Sequence, residues 1–200
     1  MKKFQNLTKL PDGSFRSLKG YAGESIISGL AMYAGYMIYI QAWRDSKYDL
    51  ILDHDGTLFR CSVKTTSTSS VNVTTGTRSG QQIQKDKVKP QLITRKDCDV
   101  VIVYSFNTNS TYVVPSSFIQ AVKRDNISLN LLEPFKDKWK IFRCKIPNKL
   151  APTQVQMRNL LKSKNIKINY KKKLDGIKFK AGENKKRIHL LHSYYSKQLE

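Results

Sequence analysis

The feature that most constrains this chain is an Asp55-Gly56 pair set between two runs of strand-forming residues. Tyr48 to Asp53 on one side and Leu58 to Thr65 on the other are rich in β-branched and aromatic residues. Asp-Gly between two such runs is the signature of a tight two-residue hairpin, because both central residues of that turn need positive φ. With Asp55 and Gly56 in the turn, His54 faces Thr57, and each outward step sets the next pair opposite. Asp49 then falls opposite Ser62. Directly opposed residues share a face and side chains alternate, so Asp49, Ser62 and Lys64 lie on one face. Leu50, Leu52, Phe59, Cys61 and Val63 take the other, which reads as a core face packed against a helix. From spacing alone, the acid and the lysine read equally well as an exposed ion pair worth under about 1 kcal/mol.

The remaining punctuation outlines a mixed α/β chain. Residues 1–18 read as a loose arm with a turn at Pro11-Asp12-Gly13. Ile26, Ile27, Leu30 and Ala34 recur at helical spacing over 19–35, with Gly35 as the stop. Met37 to Ala42 reads as a first strand, and Val71 to Thr74 as a short one. Asp99 to Tyr104 is a nearly continuous apolar run, as expected of a central strand buried on both faces. Thr111 to Val114 forms a hairpin with it, and Pro115-Ser116-Ser117 opens a helix over 118–124. Trp139 to Ile146 reads as a further strand. Thr153-Gln154-Val155-Gln156 is a capping box opening a short helix. The expected organisation is an arm over 1–18, a core over 19–130 and a basic extension over 131–200.

Charge narrows the class of partner. The 200 residues carry 36 Lys and Arg against 15 Asp and Glu, a formal charge of +21. Residues 1–130 contribute +7 and residues 131–200 contribute +14. Such a balance is the footprint of a polyanion binder, most often nucleic acid. No apolar run has the length of a membrane span and no signal core follows Met1, so an intracellular, cytoplasmic or nucleoid-associated protein with no membrane partner is expected. No Gly-rich phosphate loop is present, which argues against ATP use. Cys61, Cys98 and Cys144 are scattered and form no CxxC pair, so they read as core fillers rather than a disulfide or zinc framework.

The order Gly20-x-x-Gly23-Glu24, Gly35-Tyr36, Tyr48-Asp49-Leu50-Ile51, Asp55-Gly56 and Val63-Lys64-Thr65 resembles the PD-(D/E)XK nucleases. It is similar above all to the group I intron-associated homing endonucleases and the archaeal Holliday-junction resolvases. The likeness covers residues 19 to about 125. It implies a restriction-endonuclease-like core, a mixed central β-sheet flanked by helices, carrying a basic C-terminal extension. It also implies hydrolysis of DNA phosphodiesters with Mg2+, or with Mn2+ in its place. By position, Asp49 matches the central metal-binding aspartate, Glu24 the helix glutamate that helps hold metal, and the carbonyl of Val63 a backbone ligand. Lys64 matches the lysine that orients or activates the attacking water. The chain departs from the pattern at Ser62, where the family has Glu, Asp or Gln. Three readings stay open: Ser62 holds metal through water, Glu24 supplies the missing oxygen, or the site is weakened to a DNA-binding relic.

Expected DNA contacts fall in two segments. Arg78, Gln82, Lys85 and Lys87 lie in a polar loop straight after the Lys64 strand, where Arg and Gln suit guanine and adenine. Lys171, Lys172, Lys173, Lys185, Lys186 and Arg187 lie in the late basic segment and suit phosphates. Three functions follow. The first is a site-specific, homing-type double-strand endonuclease, working as a homodimer or higher homo-oligomer on double-stranded DNA. The second is a structure-selective resolvase or repair nuclease. The third is a non-catalytic nucleic-acid-binding module.

Overall fold

The structure is a computed structural model, and it describes residues 6–40, 46–75 and 90–143. The basic extension beyond Arg143, with Cys144, the helix expected after Thr153 and Lys171, Lys172, Lys173, Lys185, Lys186 and Arg187, lies outside the described residues. So does the loop carrying Arg78, Gln82, Lys85 and Lys87.

The first helix, α1, runs Asp12–Tyr33, seven residues longer at its start than the spacing predicts. Pro11 stands at its N-cap and Asp12 in its first turn, where an acid complements the helix dipole. The Pro-Asp-Gly signal is therefore a helix start, and the loose arm expected over 1–18 gives way at Asp12. The far end follows the spacing. Gly35, at φ 89°, donates its N–H to Met32, and Tyr36 donates to Ala31, a Schellman closure that only a residue tolerant of positive φ allows.

The strands are β1 (Met37–Ile40), β2 (Leu50–His54), β3 (Thr57–Thr66), β4 (Ser70–Asn72), β5 (Thr74–Thr75), β6 (Gln91–Leu92), β7 (Val100–Ser105), β8 (Ser110–Pro115) and β9 (Asn126–Ser128). Five make one sheet in the order β1-β2-β3-β7-β8. Only β3 and β7 run parallel, so the sheet is mixed. β4 pairs with β9, and β5 with β6, beside it. Two further helices follow β8 and β9: α2 (Ser116–Val122) and α3 (Leu129–Leu132).

The hairpin register is the one the turn dictates. His54 pairs with Thr57 and Leu50 with Cys61, and Asp55 and Gly56 take φ 51° and 77°. Both faces of the sheet are covered. On one, Ile27 and Ala31 of α1 pack with Leu52, Phe59, Cys61, Val100 and Ile102. On the other, Phe118, Ile119 and Val122 of α2 pack with Val101, Val103 and Val114. That is why every residue of β7 is buried and its sequence shows no alternation. The face carrying Ser62 is correspondingly not open: Ser62 is 3% exposed.

Over the described part of the strand expected at Trp139–Ile146, the chain forms a 3-10 turn, Trp139–Arg143. Ile141 and Phe142 are consecutive and both buried in the α1-side core, whereas a strand would send them to opposite faces. Trp139 stacks on Tyr36, whose hydroxyl donates to the Trp139 carbonyl at 2.9 Å.

α1 approaches the sheet closely at Gly23. A Cβ there would lie 2.0 Å from Cγ2 of Thr65, a stiff β-branched side chain on β3. Gly23→Ala is expected to cost about 1–3 kcal/mol by overpacking. Adding Thr65→Ser, which removes Cγ2, should restore most of the loss in a denaturant titration.

Candidate active site

The sheet is unequal where it matters. β3 has ten residues and β2 five, so the ladder ends at Leu50 and Cys61 while β3 continues. Asp49 sits one residue before β2 and finishes the edge with its side chain. Its N–H donates to the Cys61 carbonyl at 2.8 Å. Its Oδ2 accepts the Val63 N–H at 2.6 Å and the Ser62 hydroxyl at 3.1 Å. The N–H and carbonyl of one strand residue project to the same side. The Val63 carbonyl is therefore directed to the same side of β3 as the Asp49 carboxylate.

Lys64 follows on β3, half-buried. Thr65, the next residue, is the one against Gly23, and this contact brings Glu24 into reach of the β3 edge. Glu24 is half-buried, and its carboxyl is held above the usual carboxylate range. Burial is the main cause and the Asp49 charge the second, with Lys64 pulling the other way. Glu24, Asp49 and Lys64 thus feel one another, although α1, the β2 edge and β3 supply them separately.

This arrangement brings together Glu24, Asp49, Ser62, Val63 and Lys64, the set named from sequence. It changes the part of Ser62, whose hydroxyl donates to Asp49. Among the described residues no cluster of three or more His, Cys, Asp or Glu side chains forms. The donor set facing the edge is two carboxylates and a carbonyl. All are hard oxygens, and magnesium is commonly held by one or two carboxylates with water completing the shell. A divalent cation between Glu24 and Asp49 would also relieve the repulsion that raises Glu24. The residues present fit such an ion.

Sequence reasoning missed the buttress behind the site. Arg60 grips Asp99 through Nε at 3.2 Å and Nη2 at 3.1 Å, and reaches the Lys96 and Arg95 carbonyls. Lys47, two residues before Asp49, meets Asp97 at 2.9 Å. Asp97 lies below the usual carboxylate range although burial opposes this, because Lys47 and Thr94 hold its charge. These partners are 39 and 50 positions apart, and nothing in local spacing pairs them. Cys61 and Cys98 are buried core thiols: burial pushes Cys61 well up and Cys98 to about 11.

A mixed α/β core of this kind is shared by a class of nucleases, and the family of this chain follows from comparison with known proteins. The sequence pattern of the PD-(D/E)XK endonucleases matches residues 16–144, and the chain belongs to that family. The solved structure of a bacterial homing endonuclease, I-Ssp6803I, superposes with a TM-score of 0.54 at 19% identity. The match covers 64% of this chain and 93% of that one, and the two share the fold. No curated protein sequence matched the chain significantly.

The raised Glu24 fixes the sign of a pH effect. A carboxyl whose folded pKa is raised binds protons more readily in the native state. Metal-free stability therefore falls as pH rises from the unfolded pKa through the folded one. Glu24→Gln should melt higher than wild type in chelator at neutral pH, with the gap closing in acid. An equal or lower melting temperature across the range would remove the strained-carboxylate account.

Proposed function

We propose that this protein is a metal-dependent DNA endonuclease that hydrolyses phosphodiester bonds, cutting both strands at a specific site in the homing manner. One observation carries the reading: the Asp49 carboxylate is pinned on β3 by the Val63 N–H and the Ser62 hydroxyl, next to Lys64 in sequence and within electrostatic reach of Glu24.

In this reading Asp49, Glu24 and the Val63 carbonyl hold Mg2+, or Mn2+ in its place. The bound ion supplies charge for the phosphate oxygens and lowers the pKa of water. Asp49 Oδ2 is occupied by its two donors, so the carboxylate is held in place and Oδ1 is the oxygen left to serve the ion. Ser62 acts on Asp49 rather than on the ion, and Glu24 supplies the second carboxylate. That meets the departure at Ser62 without a lost activity. Lys64 places its ammonium within electrostatic reach of Glu24, on the strand that Asp49 caps. There it orients the attacking water and moderates the charge on the scissile phosphate.

The substrate is double-stranded DNA, with the +21 charge favouring phosphates and Arg78, Gln82, Lys85, Lys87 and the late lysines expected to make the contacts. No helix among the described residues is long and apolar enough to cross a membrane. One site cuts one strand at a time, so a double-strand cut calls for a homodimer or higher homo-oligomer.

The test is cleavage of linear, supercoiled and four-way-junction DNA with and without Mg2+. Discrete double-strand cuts are expected on linear DNA only with the metal. Lys64→Ala should slow them by about 10²-fold or more at unchanged DNA affinity. Preference for junctions would move the reading to a resolvase. Salt-sensitive binding with no cutting under any metal would leave a binding module.

A further inference from the structure

One side of α1 packs on the sheet through Gly23, Ile27, Ser28 and Ala31. The four charged residues of the helix, Asp12, Arg16, Lys19 and Glu24, lie on or beside that side by helical spacing. The opposite side runs Ser14, Leu18, Tyr21, Ser25, Gly29, Met32, spaced by three or four residues, all exposed and without a charge. Leu18 is 53% exposed, Tyr21 56% and Met32 60%. Surface helices normally put charge on the solvent face, and a helix apolar on both sides is buried on both. Here the face is bare in a chain of which 26% is charged.

The first half of α1 adds a second observation. None of the residues from Asp12 to Ala22 is buried, and Gly13 and Gly20 both disfavour helix. Within the described fold only Phe15, Lys19 and Gly20 of those three turns are even partly covered, and short, weakly packed helices are marginal in water.

We propose that this face docks a second copy of the chain, α1 antiparallel to α1 about a two-fold axis near Gly23. The inference deepens the two-site reading above, and three arguments select the occupant. DNA would need cations, and this face has none, while Arg16 and Lys19 lie toward the other side. A two-fold interface must complement itself. Reversing the seam about Gly23 sets Tyr21 of one copy against Ser25 of the other, Met32 against Ser14, and Leu18 beside Gly29. Each large residue meets a small one. The Ser25 hydroxyl already donates to the Tyr21 carbonyl at 3.0 Å, so covering it leaves no unsatisfied donor. Finally, two molecules of charge +21 repel, and an uncharged strip is where they approach at least cost. Association should therefore strengthen as salt screens the rest of the surface.

The test is sedimentation velocity of the full chain at micromolar concentration over a range of salt, with DNA absent. A dimer is expected, favoured by moderate salt. Ser25→Glu and Leu18→Glu should each weaken it by about ten-fold or more while far-UV circular dichroism is unchanged. Ser25→Cys in a Cys144→Ser background should be joined into a covalent dimer by a short bis-maleimide. A monomer at every salt with no cross-link overturns the proposal, and so does a dimer that neither substitution disturbs. Lost DNA affinity at unchanged mass would give the face to DNA and also overturn it. The mass is read without cleavage, so a dimer that cuts nothing would sink the nuclease reading alone.

Discussion

A single hydrogen bond organises the candidate site: the Val63 N–H donating to Asp49 Oδ2 at 2.6 Å. A strand edge facing the protein must satisfy its backbone groups, and a neighbouring strand is the usual means. Here β2 stops at Leu50 and a carboxylate takes the next place. A full strand would have used up the Val63 carbonyl and buried the edge. A side chain in its stead caps one donor and leaves an acceptor and a charge side by side. The length mismatch between β2 and β3 is thus what makes the edge chemically available, and the turn at Asp55-Gly56 sets where the mismatch falls.

The charges around that edge are not arranged for stability. Glu24 is pushed toward protonation by burial and by Asp49, and Lys64 offsets only part of this. The favourable pairs lie one layer back, where Arg60 holds Asp99 and Lys47 holds Asp97. Those contacts fix the start of β3 against β7 and restrain the segment leading into Asp49. A site that gathers like charges needs a frame that does not yield to them. The close approach of Gly23 to Thr65 serves the same end, because α1 cannot draw Glu24 away without giving up its packing on the sheet.

What could be read in the sequence was what local chemistry enforces. Asp55-Gly56 demands one turn type and hence one register, Gly35 one helix ending, and the unbroken apolar run at β7 burial on both faces. The start of α1 was not legible, because Pro11-Asp12-Gly13 satisfies a turn and a helix N-terminus alike. The first half of the helix has no fully buried residue, so no core periodicity marked it. The 3-10 turn at Trp139 was missed because β-forming residues there pack by adjacency rather than alternation. At the site, spacing placed Asp49 near Ser62 and Lys64, but Glu24 joined them only through a family likeness. That Ser62 donates to Asp49 follows from the shortened ladder, which no residue pattern states.

Glu24 and the bare face of α1 belong to the same helix, and this ties the site to the assembly. Glu24 follows Gly23, a point of close approach to the sheet and the proposed position of the two-fold axis. Docking a second copy along Ser14 to Met32 would brace the weakly packed first half of α1 and fix the helix axis where Glu24 leaves it. The two acids that resist being near each other would then be held by packing on both sides of one helix. In a lone copy only the sheet side does so. Under the proposed two-copy assembly, the site would be held most firmly when the copy needed for the second strand is present, and single-strand cuts by unpaired molecules would be disfavoured.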